Sequence, residues 1–294
     1  MRVASPLTVR ILTKNIRYAT KNPTLGERPW DERLPYLINE LHYSTLHCSE
    51  SFICLQEALY SQIINILDQL NNGGKDDWTF VGVGRDDGSQ AGEFSPVLYR
   101  PAVWRLEHFQ TKWLSESQDK PSLGWDAACR RILTVCIFSH RSTGEQVVAC
   151  NTHLDHKGHV ARQRSAEIIL AQVEKFSMHN LGLNLPIFLA GDFNSEPDQE
   201  AYLAMTSGSS PLNDLHELLP REQRYGDDNT FSGFDSGTRR KRIDFLFLNQ
   251  KTASGGRWRL LGYTTLPNRF EDRIYNSGQY SPRLAVRLPG QVAS

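Results

Sequence analysis

The chain has 294 residues, 39% of them hydrophobic, and its 33 basic and 33 acidic side chains cancel to a formal net charge of zero. That balance argues against a nonspecific nucleic-acid binder, which carries a basic excess or stripe, and leaves a small phosphorylated substrate open. No stretch approaches the roughly 18–20 apolar residues of a membrane span, and no basic segment with an apolar core and cleavage site leads the chain. A cytoplasmic monomer is the expectation, undivided over residues 1–294 because no Pro/Gly/Ser-rich linker or internal repeat interrupts it. Cys48, Cys54, Cys129, Cys136 and Cys150 are odd in number and lack zinc-like pair spacing. Cys54, Cys136 and Cys150 lie in apolar runs and read as buried thiols.

Apolar periodicity predicts the elements in order. A strand at 7–14 closes on Asn15, a helix follows at 31–42, and a strand at 52–56 closes on Glu57. A helix at 58–70 leads to strands at 78–83, 95–100, 104–109, 131–139 and 145–151, the last running into Asn151-Thr152-His153-Leu154-Asp155. The helix at 160–177 carries Ala166, Ile169, Leu170, Val173 and Phe176 at helical spacing. The strand at 186–190 opens into Gly191-Asp192-Phe193-Asn194, and Asp198 after Pro197 marks the start of a helix at 198–206. Strands at 243–248, headed by Arg242-Ile243-Asp244, and 258–265 complete the set. Many strands with helices between them predict two packed sheets flanked by helices.

Five of these strands place Asn, Asp, Glu or His at or beside an end, which is where sheet folds build their sites. Asp192 and Asn194 carry the strongest signal. Two residues apart at the mouth of a buried strand, they offer a carboxylate and an amide to one point. That pair suits a water, a divalent metal or a phosphate oxygen. Glu57 is a hard oxygen ligand suited to Mg²⁺, which takes only one or two carboxylates from protein.

The set Thr13-Lys14-Asn15-Ile16-Arg17, Leu55-Gln56-Glu57, Asn151-Thr152-His153-Leu154-Asp155-His156, Gly191-Asp192-Phe193-Asn194 and Arg242-Ile243-Asp244-Phe245 resembles the endonuclease/exonuclease/phosphatase superfamily, in order from Val9 to Ser277. Deoxyribonuclease I, sphingomyelinases, inositol polyphosphate phosphatases and deadenylases belong to it. The resemblance implies a four-layer α/β/β/α sandwich with two packed mixed sheets, and a Mg²⁺-dependent phosphoesterase for which Mn²⁺ is an alternative metal. It implies that Asn15 and Glu57 hold the metal, Asp192 orients or deprotonates the attacking water, and Asn194 holds a phosphate oxygen or the water. His153 would donate to the phosphate, and Asp244 would fix a histidine or the metal water.

The stretches Gly82–Gly88, Gly92–Pro96 and Gly124–Cys129 are similar to a microbial subgroup of such hydrolases. There Arg85 offers a bidentate clamp, Trp125 a stacking face and Asp155 a further substrate contact, with Glu93, Asp126 and Arg131 nearby. A tight turn at Asp86-Asp87-Gly88 and a packing role for Trp125 are equal alternatives. The basic run Arg239-Arg240-Lys241-Arg242 reads as a solvated turn before a strand.

One motif departs. The superfamily closes with Ser-Asp-His before an apolar strand, the histidine contacting the scissile phosphate and an aspartate orienting it. Here Gly278-Gln279 follow Ser277, Pro282-Arg283 follow Ser281, and no histidine lies after His216. Residues 278–294 therefore read as an atypical tail. Two functions follow: a metal-dependent phosphoric ester hydrolase with reduced turnover, or a non-catalytic phosphate-ligand binding protein that keeps the fold. The substrate stays open among nucleotide, nucleic acid, sugar phosphate and lipid headgroup.

Overall fold

Side chains alternate faces along a strand, so a strand buried on both sides must divide its apolar residues between two cores. The computed structural model, which describes residues 7–72, 77–177, 185–235, 237–249 and 259–269 together with the backbone of 270, 273–274 and 281–288, shows that division throughout. In chain order come β1 (Leu7–Asn15), α1 (Trp30–Thr45), β2 (Ser51–Gln56), β3 (Ala58–Leu59), α2 (Tyr60–Leu70), β4 (Thr79–Val81), β5 (Glu93–Phe94) and β6 (Val97–Tyr99). The meander β7 (Trp104–Trp113), β8 (Ile132–His140) and β9 (Gln146–His153) follows, and α3 (His159–Ser177) crosses back to β10 (Ile187–Asp192). Then come α4 (Glu200–Met205), β11 (Asn213–Asp214), α5 (Leu215–Leu218), β12 (Arg224–Tyr225), β13 (Asp244–Leu248), β14 (Arg259–Leu266), β15 (Arg269–Phe270), β16 (Arg273–Ile274) and β17 (Ser281–Leu288).

A seven-stranded sheet runs β12-β14-β17-β1-β2-β6-β4 and a six-stranded sheet runs β11-β13-β10-β9-β8-β7. Phe52 and Cys54 of β2 meet Phe188 and Ala190 of β10 in the core between the sheets. Ile53 and Leu55 turn the other way, onto Leu37, Leu41, Ile63 and Ile66 of α1 and α2. Ile187 and Leu189 turn onto Ala166, Ile169, Val173 and Phe176 of α3. The layers are therefore helix, sheet, sheet and helix, the deoxyribonuclease I-like sandwich. Cys54, Cys136 and Cys150 are buried free thiols, as their apolar surroundings predict. Among the described residues no helix is long and apolar enough to cross a membrane.

Buried amides set the two sheets in register. Gln56 Nε2 donates to Asn151 Oδ1 at 2.7 Å, and Asn151 Nδ2 donates to the carbonyls of Leu55 and Pro96 at 2.9 and 2.8 Å. Both residues belong to the superfamily motifs, and both act here as ties between layers.

One element differs from the sequence reading. Ser281–Leu288, taken as part of an atypical tail, forms β17 between β1 and β14, pairing antiparallel with each. The period-two spacing of Leu284, Val286 and Leu288 was the available signal. Gly278 and Gln279, where the superfamily's Asp-His pair would fall, lie outside the described residues.

Candidate active site

The topology explains why polar strand ends converge. β1 and β2 pair in parallel, as do β9 and β10, so Asn15, Glu57, His153 and Asp192 all emerge at C-terminal strand ends. β13 runs antiparallel to β10, which places its first residue, Asp244, directly opposite Asp192. Phe193, Phe245 and Phe247 pack beneath this end of the six-stranded sheet and stiffen it.

Asn15 joins the two sheets at the site. Its Nδ2 donates to Glu57 Oε1 at 2.8 Å and to Asp192 Oδ2 at 3.0 Å, while its Oδ1 accepts from the Arg17 N–H at 2.9 Å. The amide thus steers two carboxylates toward one point, and its oxygen is engaged elsewhere. Glu57 also accepts from the Tyr18 N–H at 3.3 Å and faces Arg17 Nη1 at 3.6 Å. Asp192 Oδ1 accepts from the Asn194 N–H at 2.9 Å, closing a tight turn. Glu57 and Asn194 have φ of 57° and 46°, and Arg17 has 54°. Left-handed backbone in non-glycine residues costs of order 1–3 kcal/mol each and concentrates at functional sites. Glu57, Asp192 and Asn194 line one cavity of about 330 Å³, with His156, Lys157 and Lys241 on its walls.

His153 is almost fully buried. Burial pushes its imidazole well below the ordinary range, and Arg131, Arg85 and His156 add to the effect, so the ring is neutral at pH 7. Asn194 Nδ2 lies 2.9 Å from His153 Nε2 and 3.0 Å from the Leu154 carbonyl. Donating to both, the amide makes Nε2 an acceptor, and the expected donation from His153 to a phosphate requires the other tautomer with the amide turned. Among the described residues the buried Nδ1 has no hydrogen-bond partner, with Glu93 Oε2 at 3.9 Å.

Asp244 departs furthest from expectation. Its carboxyl is buried, and neither oxygen finds a hydrogen-bond partner of good geometry among the described residues. Burial first, and then the Asp192 charge across the strand pair, holds its pKa well above the carboxylate range. Burial and that neighbouring charge both favour the protonated form of the carboxyl. In the unfolded chain the same carboxyl ionises near ~3.9, so the native state retains a proton that the unfolded state has lost. Native stability on this account declines as pH rises above that value, until the native carboxyl itself ionises. Asp244→Asn is expected to match wild type in melting temperature near about pH 4 and to exceed it progressively toward neutral pH. A difference that stays constant with pH in melting scans would show that Asp244 is ionised throughout.

A match to the model of the Endonuclease/Exonuclease/phosphatase family runs over residues 12–266, and the converging groups all lie within it. The chain belongs to the endonuclease/exonuclease/phosphatase family. An endonuclease/exonuclease/phosphatase family protein from Bacteroides thetaiotaomicron superposes with a TM-score of 0.81 at 26% identity, over 97% of this chain and 99% of that one. A mannosyl-6-phosphatase from the same organism superposes with 0.80 at 26% identity, covering 95% and 99%. The human nocturnin catalytic domain shares the fold at 0.69 and 16% identity, over 96% of this chain and 93% of that one. Mouse nocturnin is 29% identical over 117 residues, 39% of this chain and 27% of nocturnin; the match spans about a quarter of that protein.

The three expected substrate contacts, Arg85, Trp125 and Asp155, lie outside the cavity. Asp155 is buried, and its two oxygens accept from the N–H groups of Ala128, Cys129, Lys157 and Gly158. Despite the cost of burial, these bonds and Arg131 hold its pKa down to about 2. It fastens the 124–131 loop to the start of α3, and Asp126 repeats the device by accepting from Val160 and Ala161 N–H. Cys129, Asp155 and His156 bring potential ligand atoms within 4.8 Å of one another, but the engaged Asp155 oxygens and the adjacent Arg131 cation oppose metal binding there. Asp155→Asn is expected to cost about 1–3 kcal/mol in urea unfolding, with KM unchanged. An unchanged midpoint with a raised KM would return Asp155 to substrate binding.

Trp125 faces a separate hollow against α3, beside Ser115, Gln118, Arg164 and Ile168. Arg85 is neutralised by Glu93 at 2.7 Å. Glu93 sits at the site because β5 pairs with β3, directly after Glu57. Burial, then the Glu57 charge, raises its pKa, against the opposing pull of Arg85 and Arg131. A two-residue strand leaves no periodic signal, so only the similarity of the Gly92–Pro96 stretch pointed to it.

Proposed function

We propose that the chain hydrolyses phosphate esters with the help of a divalent cation, Mg²⁺ first and Mn²⁺ second. The observation that carries this reading is the single Asn15 amide bonded to both Glu57 and Asp192 at the cavity floor. Two hard carboxylates drawn to one point fit a small divalent cation that keeps most of its own waters. When bound, the cation supplies positive charge to the phosphoryl oxygens, where a phosphate ester most needs it.

The chain's own residues supply the rest. Asp192 Oδ2 accepts a proton from the attacking water and aims it, its carboxylate fixed by Asn15 and by the Asn194 turn. Asn194 Nδ2 donates to a phosphoryl oxygen, and the neutral His153 ring beside it, displaced from that bond, turns to donate as well. Asn15 acts chiefly by holding both carboxylates. No imidazole faces Asp244 among the described residues, so nothing in this set protonates a poor leaving group.

The mannosyl-6-phosphatase likeness makes a sugar phosphomonoester the first class to test. The lack of an imidazole facing Asp244 among the described residues supports a second reading, a protein that binds phosphorylated ligands without turning them over. Hydrolysis of p-nitrophenyl phosphate and bis-p-nitrophenyl phosphate, with and without Mg²⁺ and with Asp192→Ala as control, separates the two. Metal-dependent turnover lost in the control supports the enzyme. Folded protein that binds Mg²⁺ but never exceeds the control supports the binding protein.

A further inference from the structure

The sequence of α3 puts Arg164, Glu167, Ile168 and Ala171 on one stripe, at the i, i+3, i+4 and i+7 spacing of a helix face. That stripe borders a hollow of about 400 Å³ whose other wall is the 115–125 loop, with Ser115, Glu116, Gln118 and Trp125. The loop is closed on itself. Trp113 N–H donates to the Gln118 carbonyl at 2.8 Å, Ser117 N–H to Ser115 Oγ at 3.1 Å, and Ser122 Oγ to the Ser117 carbonyl at 2.8 Å.

Trp125 is fixed from both sides. Gly124 lies so close to the loop start that a Cβ there would meet the Leu114 carbonyl oxygen at 2.7 Å. Asp126 accepts from the Val160 and Ala161 N–H groups at 3.3 and 2.7 Å. Between them Trp125 takes a φ of 45°, the left-handed backbone also found at Glu57 and Asn194, which a bulky aromatic residue rarely adopts. Among the described residues its ring stacks on no other aromatic side chain and its indole N–H has no hydrogen-bond partner. The Gln118 amide and the Glu116 carboxylate likewise lack partners among the described residues. Arg164 and Glu167 pair with each other at 2.8 Å.

Two carboxylates against one guanidinium oppose an anion, so the hollow does not suit a phosphate. A quaternary cation is held by a cage of aromatic faces, and here one face stands beside a guanidinium. A neutral polyhydroxyl ring meets every group present. Its C–H face covers an indole, and its hydroxyls, each both donor and acceptor, satisfy an amide, a carboxylate and an indole N–H. We infer that the hollow is a carbohydrate subsite for one neutral pyranose unit, with its C–H face on Trp125 and its hydroxyls on Gln118 and Glu116. A volume of about 400 Å³ admits a ring of that size. The hollow shares no lining residue with the acidic cavity, so it fills whether or not the chain hydrolyses phosphate esters.

The test is saturation-transfer NMR on the full chain with the methyl pyranosides of mannose, glucose and galactose, each at about 10 mM, which reveals millimolar binding. At least one pyranoside is expected to take up saturation on its ring protons. Trp125→Ala is expected to abolish the transfer, and Trp125→Tyr, which keeps an aromatic face, to retain it. Gln118→Ala is expected to weaken binding about fivefold, the loss of one hydrogen bond. Asp192→Ala, at the acidic cavity, is expected to bind as wild type does. Melting curves like that of wild type certify each fold. If Trp125→Ala does not fold, Gln118→Ala decides, and undiminished binding there overturns the subsite. No transfer to any pyranoside in wild type, transfer that survives in folded Trp125→Ala, or transfer lost in Asp192→Ala overturns it as well. Binding of tetramethylammonium but of no pyranoside, lost in Trp125→Ala, overturns the saccharide assignment in favour of a cation.

Discussion

Asp192→Asn is expected to lower kcat on p-nitrophenyl phosphate by about 10²–10⁴, the range a positioned acid–base group supplies. The substitution keeps the shape, but asparagine has one acceptor oxygen where Asp192 uses two, so it retains only one of the bonds from the Asn15 amide and the Asn194 N–H; the group lost is the base, so KM changes less than kcat. A second consequence follows across the strand pair. Asp192 lies opposite Asp244, and its negative charge is the second cause, after burial, of the raised Asp244 pKa. Removing that charge lets Asp244 ionise at lower pH, so the pH-dependent loss of stability shrinks in the same variant. Melting scans across pH report this even where turnover is too slow to follow. A variant with undiminished kcat would remove Asp192 from the mechanism, and an unaltered pH profile of melting would show that the two carboxyls do not interact.

The part of the site that was legible in the sequence is the part made by regular pairing. An apolar run fixes a strand, a polar residue at its end marks the strand's mouth, and parallel pairing then has to bring Asn15, Glu57, His153 and Asp192 to one edge. The rest depends on contacts that no run encodes. Asp155 sits in the same motif as His153, yet the loop at 128–129 folds onto it and takes its oxygens from the cavity. Glu93 reaches His153 through a two-residue pairing. The run at 239–242 looks uniform in sequence, and only the positions of Glu196, Asp227 and Asp214 single out Lys241. Asp244 was legible at the mouth of its strand, but the upward push on its pKa was not, because it follows from burial and from a carboxylate on another strand.

Asp244 also gives the strongest route to a gain of activity. A buried carboxylate is costly to keep, and burial and the Asp192 charge both favour the protonated form of Asp244. An imidazole delivered beside it changes both groups. The carboxyl gains a cationic partner and ionises, and the histidine gains an anchor that raises its pKa toward the working range of a general acid. The double substitution Gly278→Asp/Gln279→His restores the superfamily's Ser-Asp-His motif after Ser277. It is expected to raise kcat by about 10²-fold on alkyl phosphates, which need a proton on the leaving oxygen, and by much less on p-nitrophenyl phosphate, which does not. The same variant is expected to acquire an alkaline limb in its pH–rate profile, and Asp244→Ala added to it is expected to abolish the gain while leaving the basal rate intact. An equal increase on both substrates would mean that the new histidine acts through binding rather than as an acid, and no increase on either would mean that Asp244 and the residue at 279 do not meet.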